Sequence, residues 1–355
     1  MVPLFEIPRL VDSIIKKKCY KDCVAIKANY LADMAGEIAK VWRGRRALVD
    51  AIHWEPDART EYGEHIIPYL YSLLDQHGVK VAPVIGYDRW ESLEYRLALG
   101  SLDFSTMQGV CIRLDSTAFE DANDPDFLIE NIEKILSDIS VSASVVSVLM
   151  DFEDISRSTI EELIDKSDKL LSAIAGFGFA SFAVIGCSLP STINLAVKTP
   201  DTVGSVMRRE MLLWQALRES WPQLRFAYGD YAVRGPKTSE GKPSPHTNGK
   251  IRYTSDRIFH VARGHSMQNP GKGEQMWVLA RKIIESLHFM GEDFSWGDAQ
   301  IALCAQEKII GNSSTWISID TNHHIAYVLA EVQEVMRVKT ASSVSRVLSE
   351  GKRTH

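Results

Sequence analysis

The chain lacks the marks of several large protein classes. It has five cysteines in 355 residues, and no apolar run reaches the roughly 18 residues that a membrane-spanning helix needs. Its first residues, MVPLFEIPRL, lack the basic-then-apolar layout of a secretory signal. A cytoplasmic protein with reduced thiols and no membrane partner is the expectation. Excess positive charge is also missing. The formal net charge is -6, so contact with nucleic acid requires a local basic patch. No GxxxxGK[ST] string and no HExxH pair occurs. Gly186-Cys187-Ser188-Leu189 begins like a nucleophile elbow, but Pro190 stands where the second glycine belongs. Ser188 therefore reads as a strand-to-loop serine that bonds backbone. Cys111, Cys187 and Cys304 lie in apolar runs and read as small core residues. Cys19 and Cys23 are close enough to share a helix face, but no second Cys/His pair has zinc-site spacing.

What is present is a rhythm. Short apolar runs end in a charged or polar residue, and a stretch with helical spacing follows each. The runs are VPLFEIPR (2–9), ALVDAIHW (47–54), VAPVIGYDR (81–89), GVCIRLD (109–115), VVSVLMDFED (145–154), FAVIGCSLP (182–190) and LRFAYGDY (224–231). Helices are expected at about 28–43, 60–77, 90–100, 124–138, 156–175 and 201–220, with Asp124 and Ser156 as N-caps and Pro125 in a first turn. Strands without clean alternation suggest a sheet covered on both faces. Seven or eight such units favour an α/β fold of the TIM-like (β/α)8 barrel type.

The rhythm breaks after residue 233. A loop rich in Pro, Gly and Lys (234–250), carrying Arg234, Lys237, Lys242 and Lys250 against Glu240, leads to KIRYT (250–254) and IFHVARG (258–264), which read as a hairpin. The loop is either a lid, a phosphate-contacting arm or simply solvated. A second loop, HSMQNPGKGEQ (265–275), precedes helices at about 275–290 and 296–310, the latter ending at Gly311. TWISIDTNHH (315–324) opens a last helix toward Arg337. The expected organisation is a barrel core over 1–233, a loop, hairpin and closing helices of the same domain over 234–337, and a polar tail over 338–355 without fixed structure.

Chemistry in such a fold sits at the carboxyl ends of the strands. Glu6, Arg9, Asp50, His53, Asp88, Arg113, Asp115, Asp151, Glu153 and Asp230 occupy those ends, and the hairpin adds Arg252, Tyr253 and Arg263. Guanidinium groups beside carboxylates suit a phosphate-bearing ligand, because Arg grips oxygen pairs while acids hold a hard cation or a sugar hydroxyl. The alternative is mutual neutralisation in structural ion pairs. Gly229 would let Asp230 approach the mouth. Thr321 or Asn322 is expected to cap the last helix, which places His323 and His324 in its first turn, where free amides favour an anion. Trp316 is a candidate for stacking on a base or sugar. Two readings follow. In one, Glu6, Arg9, Asp50, Arg113, Arg252, Tyr253, Arg263, Trp316 and Asn322 bind a nucleotide or nucleic-acid end. In the other, Asp151 and Asp230 hold a divalent metal such as Mg or Mn, Arg113 and Arg252 stabilise charge, and His323 or His324 moves the proton of a phosphodiester hydrolysis. A third possibility is a structural scaffold subunit.

Taken together, VPLFEIPR, Gly229-Asp230-Tyr231, Ile251-Arg252-Tyr253-Thr254, Val261-Ala262-Arg263-Gly264 and Thr315-Trp316 with Thr321-Asn322-His323-His324 resemble the beta family proteins of bacteria and their phages. The resemblance covers about residues 1 to 337. It implies a barrel-like α/β domain. It also implies a place in phage defence or a mobile element, in a hetero-complex with a small nuclease-like protein, because some relatives are encoded beside one. The family pattern usually opens with a further strand bearing a lysine. Here the sequence starts at VPLFEIPR, so a first strand lies upstream, or IFHVARG supplies the eighth strand, or an open edge takes a partner.

Overall fold

All seven apolar runs form strands, in a computed structural model that describes every residue except Lys21, 237–246, 269–271 and 351–355. The side chains of Lys18, Lys272 and 338–350 are likewise outside the description. The strands are β1 (Leu4–Glu6), β2 (Arg46–Asp50), β3 (Lys80–Gly86), β4 (Val110–Leu114), β5 (Val146–Asp154), β6 (Ser181–Cys187), β7 (Thr202–Met207), β8 (Phe226–Tyr228), β9 (Asn248–Ser255) and β10 (Ile258–Ser266). One sheet runs in the order β1-β2-β3-β4-β5-β6-β8. Its neighbours from β1 to β5 pair in parallel. It is a curled half-barrel. Among the described residues β1 does not pair with β8, and the closed barrel is not formed.

IFHVARG is not an eighth barrel strand. As β10 it lies between β7 and β9 in a separate antiparallel sheet. The reason is local. Only Asp256 and Arg257 separate β9 from β10, and such a turn joins antiparallel neighbours, whereas a parallel strand needs a crossover of about a dozen residues or more.

The principal helices are α1 (Ile26–Trp42), α2 (Ile66–Gln76), α3 (Leu93–Gly100), α4 (Pro125–Asp138), α5 (Ile160–Ile174), α6 (Arg209–Ser220), α7 (Gln275–Ile284), α8 (Trp296–Ala305) and α9 (Ser313–Glu350). Asp124 caps α4 as expected, accepting from the Phe127 amide at 3.4 Å, with Pro125 in the first turn. Leu128, Ile132 and Ile135 line its buried side. Ser156 caps nothing, since α5 begins at Ile160. The helix expected over 201–220 is β7 followed by α6. The helices expected to reach 290 and 310 stop at Ile284 and Ala305. Gly311 does not end α8; its left-handed φ of 74° precedes α9 instead. Much of the tail expected to lack structure belongs to α9.

The chain divides into two compact units. The first comprises Met1–Asp151, Glu161–Val184 and Leu217–Ala227; the second comprises Phe152–Ile160, Ile185–Ala216 and Tyr228–His355. In the second unit the antiparallel sheet has two different faces. One carries Ile251, Tyr253 and Ala262 into a core with Met276, Leu279, Ile283, Ile301, Cys304, Trp316 and Ile319. Each large aliphatic side chain fully buried there stabilises by about 1.5–3 kcal/mol. On the opposite face, Phe259 and Val261 pack with Cys187, Leu189, Val197 and Val233. The three cysteines expected in the core are buried, Cys19 is exposed and Cys23 is half-buried.

Candidate functional site

The turn at Asp256–Arg257, where Arg257 takes a left-handed φ of 55°, fixes the register of β9 on β10. Lys250 pairs with Arg263, Arg252 with Val261, and Thr254 with Phe259. Residues directly opposite share a face, and so do alternate residues on a strand. Lys250, Arg252, Thr254 and Arg263 therefore project from one face, the one that Phe259 and Val261 share. Gly204 on β7 lies opposite Val261, and a Cβ there would sit 3.0 Å from Val197 Cγ2. Its absence lets the 197–198 backbone close over this face.

One end of the face is basic. Arg252 donates from Nε to Asp320 Oδ2 at 2.8 Å, from its amide to the same oxygen at 3.2 Å, and from Nη1 to the Val233 carbonyl at 2.8 Å. Its Nη2 and the Asp320 Oδ1 are buried and have no partner among the described residues. Arg263 donates from Nη1 to the carbonyls of Val197 and Lys198, and its Nε is buried without a partner. Lys250 titrates below the usual lysine range, first because it is buried and then because Arg252 and Arg234 lie near; Asp320 opposes the shift. Burial pushes the Asp320 carboxyl up to about 6 against the pull of Arg252. Arg252 and Arg234 thus crowd Lys250, with Asp320 as the acid that offsets them.

The other end is a hydrogen-bond relay. His324 joins Asp230 Oδ2 through Nε2 at 2.9 Å and Thr254 Oγ1 through Nδ1 at 2.8 Å. Tyr228 donates to Asp230 Oδ2 at 2.7 Å and the Ala232 amide donates to Oδ1 at 2.9 Å. Burial opposes ionisation of Asp230, but His324, Tyr228 and Ala232 together hold its carboxyl far below the usual range. His323 faces the other way. Its Nδ1 meets Asp298 Oδ2 at 2.9 Å and its Nε2 meets the Thr254 carbonyl at 2.8 Å, while Tyr253 donates to Asp298 Oδ1 at 2.7 Å. Burial likewise opposes ionisation of Asp298, and His323, Ser295 and Tyr253 outweigh it.

Neither histidine lies in a first helical turn. Asn312 starts α9, accepting from the Thr315 amide at 3.0 Å, so His323 and His324 fall well inside the helix, where amides are already bonded. Asn322 caps nothing on α9; its Oδ1 accepts from the Gly297 amide on α8 at 2.8 Å. Trp316 is 4% exposed, packs in the core and donates to the Ile310 carbonyl. Tyr253, 1% exposed, is stacked on His323 in that core rather than beside Arg252. Ser188 is buried; its Oγ accepts from the Arg209 amide at 2.8 Å and donates to Glu210. Of the loop over 234–250, residues 237–246, including Lys237, Glu240 and Lys242, lie outside the described residues.

In the first unit the strand-end residues Glu6, Asp50, Arg113 and Asp151 do come together. Arg113, 3% exposed, donates from Nη1 to Glu6 at 2.7 Å and to Asp50 at 2.9 Å, and from Nε and Nη2 to Asp151. Arg89 donates to both oxygens of Asp50, at 2.8 and 3.3 Å. Its guanidinium lies over Gly86, where a Cβ would come within 2.2 Å of Nε and Nη2. His53 Nε2 stands 3.4 Å from Glu6 Oε2. Burial works against ionisation of Glu6, but His53 and Arg113 hold its carboxyl below the usual range. Asp115 is pushed up to about 6 by burial and by Asp88. Arg9 is exposed on the segment after β1. This cluster is an ion-pair network in which the guanidinium groups already hold carboxylates.

Asp151 and Asp230, the expected metal ligands, are committed to these partners. Among the described residues no group of three or more His, Cys, Asp and Glu side chains is arranged to hold a metal ion. Thr254, Asp298, Asp320 and Arg89 are not singled out by the sequence as site residues, and Lys250 enters there only with the loop over 234–250. The pairing arithmetic of a two-residue turn gives Lys250 opposite Arg263. Asp320, His323 and His324 follow the i, i+3, i+4 spacing of a single helix face.

A family model described as Beta protein matches residues 1–330. The chain belongs to the Beta protein family. In this Beta protein the match takes in the half-barrel, the antiparallel sheet and the start of α9, including both histidines. No curated protein matches the chain. No helix among the described residues is long and apolar enough to cross a membrane.

Proposed function

We propose that this Beta protein binds a phosphate-bearing ligand, a nucleotide or a nucleic-acid end, on the basic face of its antiparallel sheet. The observation that carries this reading is the Lys250–Arg263 pair. Two like charges directly opposite one another destabilise a strand pair. Arg252 and Arg234 add to the crowding, and Asp320 is a single counter-charge. An anion relieves that excess. The strand-end cluster around Arg113 is the poorer place for a phosphate, since its guanidinium nitrogens are already engaged by acids. A role as the binding component of a phage-defence or mobile-element system, beside a small nuclease-like protein, extends this reading and draws on the family resemblance.

The test is calorimetric titration of the protein with inorganic phosphate, a nucleoside 5′-monophosphate and a short 5′-phosphorylated oligonucleotide at low salt. Binding that weakens about tenfold or more in Lys250→Glu and falls with ionic strength is expected. Absence of binding by all three ligands would end the proposal.

A further inference from the structure

We infer that a second copy of this chain extends the antiparallel sheet, the two β7 strands pairing about a two-fold axis at Ser205. The sheet runs β7-β10-β9, so β7 and β9 are its edges. The β9 edge is closed by side chains of α9. The Arg252 amide donates to Asp320 Oδ2 at 3.2 Å, and the Thr254 carbonyl meets His323 Nε2 at 2.8 Å. Among the described residues β7 pairs with β10 alone.

The register identifies the backbone groups at the β7 edge. Arg208 follows the strand and stands opposite Arg257, and its amide donates to the Arg257 carbonyl at 2.8 Å. Hydrogen-bonded positions alternate from there. Thr202, Gly204 and Val206 therefore bond β10, while the amides and carbonyls of Val203, Ser205 and Met207 point away from it. Natural edges are commonly blunted by a charge, a proline or a bulge. The strand TVGSVM has no charge and no proline, and its register on β10 runs without a break. Val203 and Met207 are 40% and 49% exposed, and Ser205 between them is exposed too.

Two features fit this edge to its own copy. The outward stripe is its own antiparallel complement. With Ser205 opposite Ser205 of the second copy, Val203 lies opposite Met207, and every outward amide and carbonyl of both strands is bonded. A slip of one residue would turn the apolar side chains to opposite faces, and a slip of two would leave outward groups unbonded. The flanks also carry opposite charge. Asp201 precedes the strand and is exposed, with one oxygen on His265, and Arg209 follows it. The same register brings the Asp201 end of one copy to the Arg209 end of the other. Because α9 closes the β9 edge, the isologous contact uses the one open edge of this sheet and stops at two chains. A single strand pair is smaller than a standard interface of about 800 Å² per partner, so association is expected in the range of about 1–100 µM.

The experiment is sedimentation velocity of the full chain, without ligand, over that range. The natural chain should shift from monomer to dimer as concentration rises. Ser205→Lys and Ser205→Glu each place like charges opposite one another at the axis and should weaken self-association about tenfold or more. Mixed in equal amounts, the two variants place opposite charges there and should form a dimer again. Circular dichroism checks that both variants fold, and the exposed position of Ser205 favours that. A natural chain that stays monomeric at about 100 µM would overturn the inference and leave the edge to a strand of a different protein. A dimer that both folded variants keep would overturn it by placing the contact elsewhere. Two monomeric variants that do not associate on mixing would overturn the pairing at Ser205. If either variant does not fold, hydrogen exchange in the natural chain decides. Amides of Val203, Ser205 and Met207 that exchange equally fast in monomer and dimer would overturn the inference, and slowing confined to the dimer would support it.

Discussion

Lys250 stands directly across the strand pair from Arg263, on the same face as Arg252 and with Asp320 as the nearby acid. A fold does not gain stability from such a pair, so the arrangement has a measurable signature.

Replacing Lys250 with Thr removes one of the facing charges and installs a good strand former. In the absence of ligand this should raise stability by about 0.5 kcal/mol. Urea unfolding at low salt would show the gain, and added salt should shrink it by screening the repulsion in the natural chain. A loss of stability in Lys250→Thr would mean that Lys250 has a structural partner of more consequence than its neighbours' repulsion.

Arg113 is the hub of the strand-end cluster, holding Glu6, Asp50 and Asp151. Arg113→Ala leaves buried carboxylates without their cation and should lower stability by about 3–5 kcal/mol. Arg113→Lys should not restore it, because an ammonium cannot span three acids with a planar fork. Both are read by denaturant unfolding.

Gly86 leaves room for the Arg89 guanidinium on its way to Asp50. Gly86→Ala should displace that group and lower stability by about 3 kcal/mol. Arg89→Ala should cost a similar amount. The double variant should fall short of the sum by more than about 1 kcal/mol, because both changes break one ion pair. Additive losses in that cycle would show that Gly86 acts independently of Arg89.

Glu210 is fully buried against Ser188, and burial pushes its carboxyl up to about 7 from an unfolded value of 4.5. Between those two values the folded chain binds more protons than the unfolded one. Its contribution is therefore fully present below about 4.5 and is lost as pH rises through about 7. The loss is of the order of 3 kcal/mol. Glu210→Gln, which keeps a side-chain oxygen for Ser188, should flatten the fall of stability over this window. Unfolding free energies of both chains across the pH range test it, and parallel profiles would contradict it.

The half-barrel was readable because its strands are apolar runs ending in charge, and every one of the seven runs formed a strand. The strand β7 was not. Its alternation leaves Val203 and Met207 exposed while Thr202, Gly204 and Val206 turn inward. Polarity therefore does not mark its faces, and the segment merges with the helix that follows. The closing strand failed for a different reason: IFHVARG has the composition of a barrel strand, and only the shortness of the turn before it dictates an antiparallel neighbour.

Among the site residues, the acids and arginine at the ends of β1, β2, β4 and β5 meet as their positions implied, because parallel strands bring their ends to one edge. The histidines were harder. Thr321 and Asn322 look like caps, and Asn312, the residue that starts α9, follows a glycine that looks like a helix end. Moving the start of the helix upstream changes the environment of His323 and His324 from free amides to side-chain acids. Asp298 could not be read at all, since only the packing of α8 on α9, close because Gly297 has no side chain to hold the Ile319 carbonyl away, brings it to His323.

The two-residue connection at Asp256–Arg257 also settles which cluster each side of the ribbon meets. One extra residue there would reverse the side-chain parity of one strand against the other. Lys250 and Arg252 would exchange places with Ile251 and Tyr253. The cations would then enter the cluster of Met276, Leu279 and Ile319 and Tyr253 would leave it, so the length of this small bend constrains the chain more tightly than the identity of either residue in it.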